Sequence, residues 1–406
     1  MSDSSIRLDG LFEPIKIGGM DLANRFAMPG MQRGWCCDGR PDQRLADYYH
    51  ERAAGGVGLI ITEALAVDHG SATQGPYYGR LTANTAADWQ RCVDAAHAGG
   101  APILMQLWHE GAIRRSGGEG PYSAFPTLSP SGLIQPGNAN GRAADLSELA
   151  EIRAAFVRSA LLAQELGADG VEVHGAHGYL LDQFLWAGTN LRADGYGGDS
   201  MADRVRFPAE IVSAVRNATG EDFAISFRFS QWKEVDFSAR VADTPEDLRV
   251  MVRALRDAGV DMFHVSTRRF FTPEWPGSDR GLAAWVKSMT DAAVCAVGSV
   301  GLSTDIMQST EGHMDTATDL ETSLRELSRR FGRGDFDLIS VGRSNISDPE
   351  WVSKVRDGRL GEVRGFSRDD LLRPGQDNSS NVAPGFLSAR KVEAERDAAD
   401  AAKYRP

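Results

Sequence analysis

Two imidazoles and a phenol fall close together at His174, His177 and Tyr179. They lie in the run Val171-Glu172-Val173-His174-Gly175-Ala176-His177-Gly178-Tyr179-Leu180-Leu181-Asp182-Gln183-Phe184-Leu185. Imidazole donors can hold a carbonyl oxygen, and a phenol can protonate a neighbouring carbon. The same spacing permits other chemistry. His-x-x-His can be half of a metal site, or two structural histidines satisfied by hydrogen bonds. The acid beside the pair is Glu172, whose strand position is expected to turn it away from His174.

Those side chains need an element to present them. Residues 170–173 read as a short β-branched strand after a helical run that ends at Gly167. In parallel sheets, sites are built at the C-terminal ends of strands. Eight apolar runs predict strands at 25–28, 58–62, 102–107, 170–174, 223–229, 262–266, 293–298 and 337–341. Helices are predicted near 43–54, 85–97, 146–166, 201–218, 244–257, 282–291, 320–331 and 349–357, with Asp145 or Ser147 capping the third. This alternation reads as an α/β chain folded as a (β/α)8 TIM barrel. A doubly wound dinucleotide fold would want Gly-x-Gly-x-x-Gly after the first strand, and that is missing. Gly18-Gly19 predicts an N-terminal β-hairpin within residues 11–24, as a lid or barrel floor. Residues 110–145 form a long loop after strand 3, rich in Gly, Pro and Ser, expected as a substrate lid or hairpin. A second long loop spans 301–320. The expected division is a barrel over residues 1–360 and a C-terminal extension over 361–406, whose charged end at 389–403 reads as a solvated helix, an arm onto a neighbouring subunit or a frayed tail.

The 406 residues suffice for one barrel-sized domain or two ordinary ones. Hydrophobic residues at 42% and charged residues at 25% fit a globular protein with a sizeable core. A net charge of −12 argues against nucleic acid or an anionic membrane as the main partner. No apolar run approaches the roughly 20 residues that span a bilayer. Met1-Ser2-Asp3-Ser4-Ser5 lacks the charged and apolar regions of a signal peptide, so a cytoplasmic location is the expectation. Cys36, Cys37, Cys92 and Cys295 are too scattered for a disulfide framework. No Cys-x-x-Cys occurs, so neither a zinc site nor an iron–sulfur cluster is expected.

The segment from His174 to Leu185 resembles the old yellow enzyme family of FMN-dependent oxidoreductases. Asn190-Leu191-Arg192-Ala193-Asp194-Gly195-Tyr196-Gly197-Gly198-Asp199-Ser200 and Arg204-Val205-Arg206-Phe207 look like the same family's continuation. Family-like pieces recur from about Leu11 to Arg359. The resemblance implies a flavin held at successive strand ends. Pro29, Gly30 and Met31 after strand 1 would touch its ring, with Gly30 where the family usually has proline. Gln32 stands where the family usually has Thr or Cys. Ala64 after strand 2 matches a small flavin-contacting residue, and Gln106 after strand 3 matches the glutamine at the pyrimidine edge. Arg228 matches the arginine beside flavin N1. On residue type alone, Arg228 inside a barrel needs an anion, either a bound one or a buried partner such as Glu172 or Asp182. Gly298 and Ser299 after strand 7, with Gly342 and Arg343 after strand 8, fit a phosphate site.

The resemblance further implies an NAD(P)H:flavin oxidoreductase of the ene-reductase type, with FMN as cofactor and NADH or NADPH as transient reductant. The small-molecule substrate would be an α,β-unsaturated carbonyl compound. His174 and His177 would hold its oxygen, and Tyr179 would protonate its α-carbon. A homo-oligomer is expected, with no bound metal. Three rivals stand beside this reading. One is a flavin-dependent amine demethylase or dehydrogenase of the same fold. Against it, no cysteines occur near Arg373-Pro374-Gly375, where the family's larger branch carries a cluster. The second is a metal-dependent barrel hydrolase using His174, His177 and His264. The third is a flavin-binding module without ene-reductase activity. Phe125, Trp232, Phe270, Phe271, Trp275 and Trp285 are expected on or near catalytic-face loops.

Overall fold

Eight parallel strands pair into a closed ring in the computed structural model, which describes residues 6–115, 120–303 and 317–371. They are β1 (Phe26–Met28), β2 (Leu59–Ile61), β3 (Ile103–Trp108), β4 (Gly170–His177), β5 (Ala224–Lys233), β6 (Met262–Ser266), β7 (Ala293–Val297) and β8 (Leu338–Ser340). β8 pairs with β1 through Ile339 and Phe26, which closes the barrel. All eight lie where the apolar runs place them. β4 and β5 run on past their expected ends, to His177 and Lys233.

Alternation along each strand divides the core in two. Outward residues such as Ile60, Met105, Val171, Phe227 and Phe263 pack beneath the helices. Inward residues Ala27, Leu59, Leu104, Ala224, Met262 and Leu338 form a second apolar cluster with Ile17, Met20 and Leu22 of the N-terminal hairpin. That hairpin pairs Ile15–Ile17 with Met20–Leu22. A Cβ on Gly19 would lie 2.2 Å from the carbonyl oxygen of Asp222, just before β5. The hairpin is therefore the floor of the barrel and not a lid. Above it the lumen turns polar, with Gln106, Glu172, Ser226, Arg228 and His264 all buried.

The helices follow their caps. Asp145 accepts from Glu148 N, and Glu148 answers on Asp145 N, so Leu146–Glu165 starts at a capping box. Thr244 and Asp247 do the same for Pro245–Asp257. The helix expected over 201–218 divides into Met201–Arg204 and Arg206–Thr219. Pro208 has no N–H to return to Arg204, which favours a break there. The loop after β3 carries the expected hairpin, Leu133–Gln135 against Asn138–Ala139. Residues 304–316 of the loop after β7 and 372–406 of the C-terminal extension lie outside the described residues. The described start of that extension touches its own barrel: Asp370 O accepts from Arg33 Nη2 at 2.7 Å. Among the described residues, no helix is long and apolar enough to cross a membrane.

Candidate active site

β4 leaves the barrel rim through a bend. Its register against β5 shifts between Gly175 and His177, and His177 takes φ 67°, uncommon for a residue with a side chain. A Cβ on Gly175 would lie 2.4 Å from the Phe227 ring, so glycine is needed there. The helix Leu180–Leu185 folds its polar residues back onto the bend. Gly178 N donates to Asp182 Oδ2 at 3.1 Å, and Gln183 Nε2 donates to Gly178 O at 2.7 Å. Asp182 and Gln183 thus hold the geometry of the three residues before the helix.

The bend brings His174, His177 and Tyr179 together. The ring centroids of His174 and His177 are 5.3 Å apart, and those of His174 and Tyr179 are 5.2 Å apart, both pairs edge-on. His177 Nε2 lies 2.8 Å from Ser266 Oγ, and His177 N donates to Ser230 Oγ at 3.0 Å. Ala176 N donates to His174 Nδ1 at 3.2 Å, which leaves the proton of a neutral ring on Nε2. Burial, then the nearby Arg228 charge, lowers the His174 pKa to about 3 and holds His177 well below the usual histidine value. Both rings are therefore neutral hydrogen-bonding groups at neutral pH. The Tyr179 ring stands edge-on to Trp108 at 5.1 Å, and its hydroxyl donates to Glu234 Oε2 at 3.3 Å. Burial and the Glu234 charge push its pKa well above the ordinary tyrosine value, so the phenol keeps its proton.

Glu172 does not turn away from His174. Residues two apart share one face of a strand, and both enter the lumen. Glu172 Oε1 accepts from Gln106 Nε2 at 2.7 Å, and Oε2 accepts from Ser226 Oγ at 2.8 Å and lies 2.8 Å from His264 Nδ1. Burial opposes its ionisation, but His264, Arg228 and Gln106 outweigh burial and hold its pKa down to about 2. Arg228 Nη1 lies 4.0 Å from Glu172 Oε1 and donates to Gly30 O at 3.1 Å. Asp182 pairs instead with Lys233, at 2.7 Å, both wholly buried. The three histidines of the barrel-hydrolase reading are spent separately. Among the described residues, no group of three or more His, Cys, Asp or Glu side chains is placed to hold a metal ion.

The rim residues fit a flat polar ring with a phosphate tail. A Cβ on Gly30 would lie 2.6 Å from Thr62 O and 2.8 Å from Gln106 Nε2, so the strand-1 rim tolerates no side chain there. Gln32 Nε2 donates to Ala64 O at 2.9 Å and ties the rims of β1 and β2 together. Its Oε1 and the Nε of Arg228 are buried without hydrogen-bond partners, an acceptor and a donor left for a ligand. Gln106 commits one N–H to Glu172, which leaves its carbonyl oxygen and second N–H. On the other side of β1, a Cβ on Gly342 would lie 3.4 Å from Met31 Sδ and 3.6 Å from Pro29 Cγ, so the ends of β1 and β8 adjoin. Gly298 has φ +153°, and a Cβ there would lie 2.5 Å from Thr267 O. Arg343 Nη2 donates to Ser299 Oγ at 2.9 Å, which joins the loops after β7 and β8.

Of the six aromatic residues expected near the catalytic face, Trp232 stacks on His177 at 4.5 Å. Trp275 and Trp285 pack on each other at 5.3 Å, and Phe270 is buried in the helix layer. Sequence reasoning missed Glu234, Trp108 and Lys233. Glu234 and Lys233 sit where β5 was expected to have ended. A charged Lys-Glu pair there reads locally as loop, and it is the distant Asp182, with the Gln231 carbonyl, that makes Lys233 an interior residue.

The NADH:flavin oxidoreductase / NADH oxidase family model matches residues 10–317. An NADH oxidase of Thermoanaerobacter brockii is 35% identical over 367 residues, covering 87% of this chain and 52% of that protein. The 12-oxophytodienoate reductase 7 of Oryza sativa subsp. japonica is 30% identical over 365 residues, covering 85% of this chain and 87% of the rice protein. The chain spans about half the length of several other curated relatives it matches. The solved old yellow enzyme homologue of Zymomonas mobilis superposes with a TM-score of 0.72 at 22% identity, covering 92% of this chain and 98% of that one, a likeness of fold. On the matched length, the chain belongs to the NADH:flavin oxidoreductase / NADH oxidase family.

Proposed function

We propose that this chain is an FMN-dependent NAD(P)H oxidoreductase that reduces the activated C=C bond of α,β-unsaturated carbonyl compounds. The observation that carries the reading is the grouping of neutral His174 and His177 beside the protonated Tyr179 at the mouth of the barrel. Pro29, Gly30, Met31, Ala64, Gln106 and Arg228 would hold the ring of FMN, and Gly298, Ser299, Gly342 and Arg343 its phosphate. When bound, FMN supplies hydride transfer, from NADH or NADPH to the substrate's β-carbon. His174 and His177 would donate to the carbonyl oxygen and stabilise the negative charge that builds there. Tyr179 would deliver its phenolic proton to the α-carbon. Arg228, its charge only partly offset by Glu172, would favour an anion beside it.

The test is the absorbance spectrum of the purified protein, the mass of any flavin released by heat, and turnover of a cyclic enone with NADH and NADPH. Non-covalent FMN and enone-dependent nicotinamide oxidation are expected. A colourless protein that takes up no flavin refutes the reading.

A further inference from the structure

The hydroxyl of Tyr179 donates to Glu234 Oε2 at 3.3 Å. The two residues lie just past the ends of β4 and β5 and are clamped together. Glu234 N donates to His177 O at 3.1 Å. Lys233, next to Glu234, pairs with Asp182 at 2.7 Å, and Asp182 also accepts from Gly178 N, next to Tyr179. Burial raises the Glu234 pKa to about 7, with Tyr179 and Arg228 opposing the rise. A carboxyl group that changes charge near neutrality therefore touches the phenol.

We propose that Glu234 is the proton-relay and positioning residue of Tyr179, returning a proton to the phenolate after Tyr179 has protonated the substrate carbon. This rests on the reading of Tyr179 given above. In the step, the Glu234 O–H bond breaks as the Tyr179 O–H bond re-forms. The carboxylate left behind takes a proton from solvent, and no electron changes hands. The two charge states of Glu234 act differently on the phenol. Ionised Glu234 holds the hydroxyl and raises its pKa, which makes Tyr179 a poorer acid. Protonated Glu234 removes that charge and is ready to donate. The other groups facing the pair are His174 on β4, neutral across this range, and Arg228 on β5, with Tyr78 and Glu110 from the loops after β2 and β3. Burial also raises Glu110 to about 7, but its side chain is hydrogen-bonded to Thr73.

The experiment is stopped-flow reoxidation of the NADH-reduced holoenzyme by an enone, from about pH 5.5 to about pH 9. Wild type, Glu234→Gln, Tyr179→Phe and the double variant are compared. Wild-type reoxidation should fall as pH rises through about 7. Glu234→Gln should flatten that limb with reduction by NADH unmoved, and should slow steady-state enone turnover, in which the phenolate must be reprotonated every cycle, about tenfold or more at low pH. In the Tyr179→Phe background it should change nothing further. A limb that persists in Glu234→Gln, or an equal loss in the Tyr179→Phe background, overturns the proposal. If Tyr179→Phe itself leaves reoxidation unslowed, the reading of Tyr179 fails instead. A second readout needs no turnover. Infrared difference spectra of wild type against Glu234→Gln, between about pH 6 and about pH 8, should contain a titrating carboxyl band beyond that of Glu110, and its absence would also overturn the proposal. Should Glu234→Gln not fold with FMN, Glu234→Asp serves: it should keep a titrating limb at reduced rate, and an unchanged rate and limb count against the relay.

Discussion

Gln106 donates its amide N–H to Glu172 at 2.7 Å, across the seam between β3 and β4. The glutamine that family resemblance assigns to the flavin edge is thus oriented by a carboxylate beneath it. Ser226 and His264 complete the shell of that carboxylate, and Arg228 stands at 4.0 Å. A buried charge with this many partners is costly to break, because removing it strands the groups around it.

Glu172→Ala should therefore destabilise the fold by about 3–5 kcal/mol, read from urea unfolding at neutral pH. The acid limb adds a sign. The folded pKa of Glu172 is held down to about 2, below its unfolded value. Its contribution is present above the unfolded pKa and is lost as pH falls toward about 2. Glu172→Gln should lose that part of the acid sensitivity. A variant as stable and as acid-sensitive as wild type would show that the cluster carries no weight.

Lys233 and Asp182 make the second buried pair, and they hold the Tyr179 bend from behind. Lys233→Met leaves Asp182 buried without its cation and should cost about 3–5 kcal/mol. Adding Asp182→Leu should recover much of that stability without restoring the Gly178 hydrogen bond. Denaturant midpoints for the three variants decide it, and a double variant no better than the single one contradicts the pairing.

Arg343 should carry phosphate binding, since it joins the loops after β7 and β8 through Ser299. Arg343→Ala should weaken FMN affinity by about 1.5–3 kcal/mol, the range for a hydrogen bond to a charged group. Fluorescence titration of apoprotein with FMN measures this. Unchanged affinity would move the phosphate site elsewhere.

His174 and His177, kept neutral by burial and Arg228, should hold a phenol as its phenolate. The expected sign is a long-wavelength band when a phenol is added to the oxidised holoenzyme. Replacing both histidines with Ala should abolish the band and leave FMN bound. Loss of a metal ion from that variant would instead favour the hydrolase reading.

The barrel was legible because its strands are short apolar runs bounded by helices with recognisable caps, and the glycines at 298 and 342 marked the rims. The polar interior was legible only in part: Arg228 was expected inside, with Glu172 among its candidate partners, and the two lie 4.0 Å apart. Glu172, expected to face away from His174, shares its face because residues two apart on a strand point the same way. Lys233 and Glu234 were missed for a different reason. Their burial depends on Asp182 and Tyr179, dozens of residues away in sequence, and local charge gives no sign of such a partner. Of the aromatic residues, Trp232 lies on β5 beside His177, whereas Trp275 and Trp285 found each other outside the site.

The central claim is that Tyr179 gives its proton to substrate carbon, and stopped-flow kinetics of Tyr179→Phe tests it most directly. The change keeps the ring and its contacts with Trp108 and His174 and removes only the hydroxyl. Flavin reduction by NADH or NADPH requires no proton from this residue and should stay near wild type. Reoxidation by an enone should slow by about 10²–10⁴-fold, the usual worth of a general acid. The opposite pattern, a slowed nicotinamide step with the enone step spared, would contradict the assignment and make Tyr179 a nicotinamide-positioning residue.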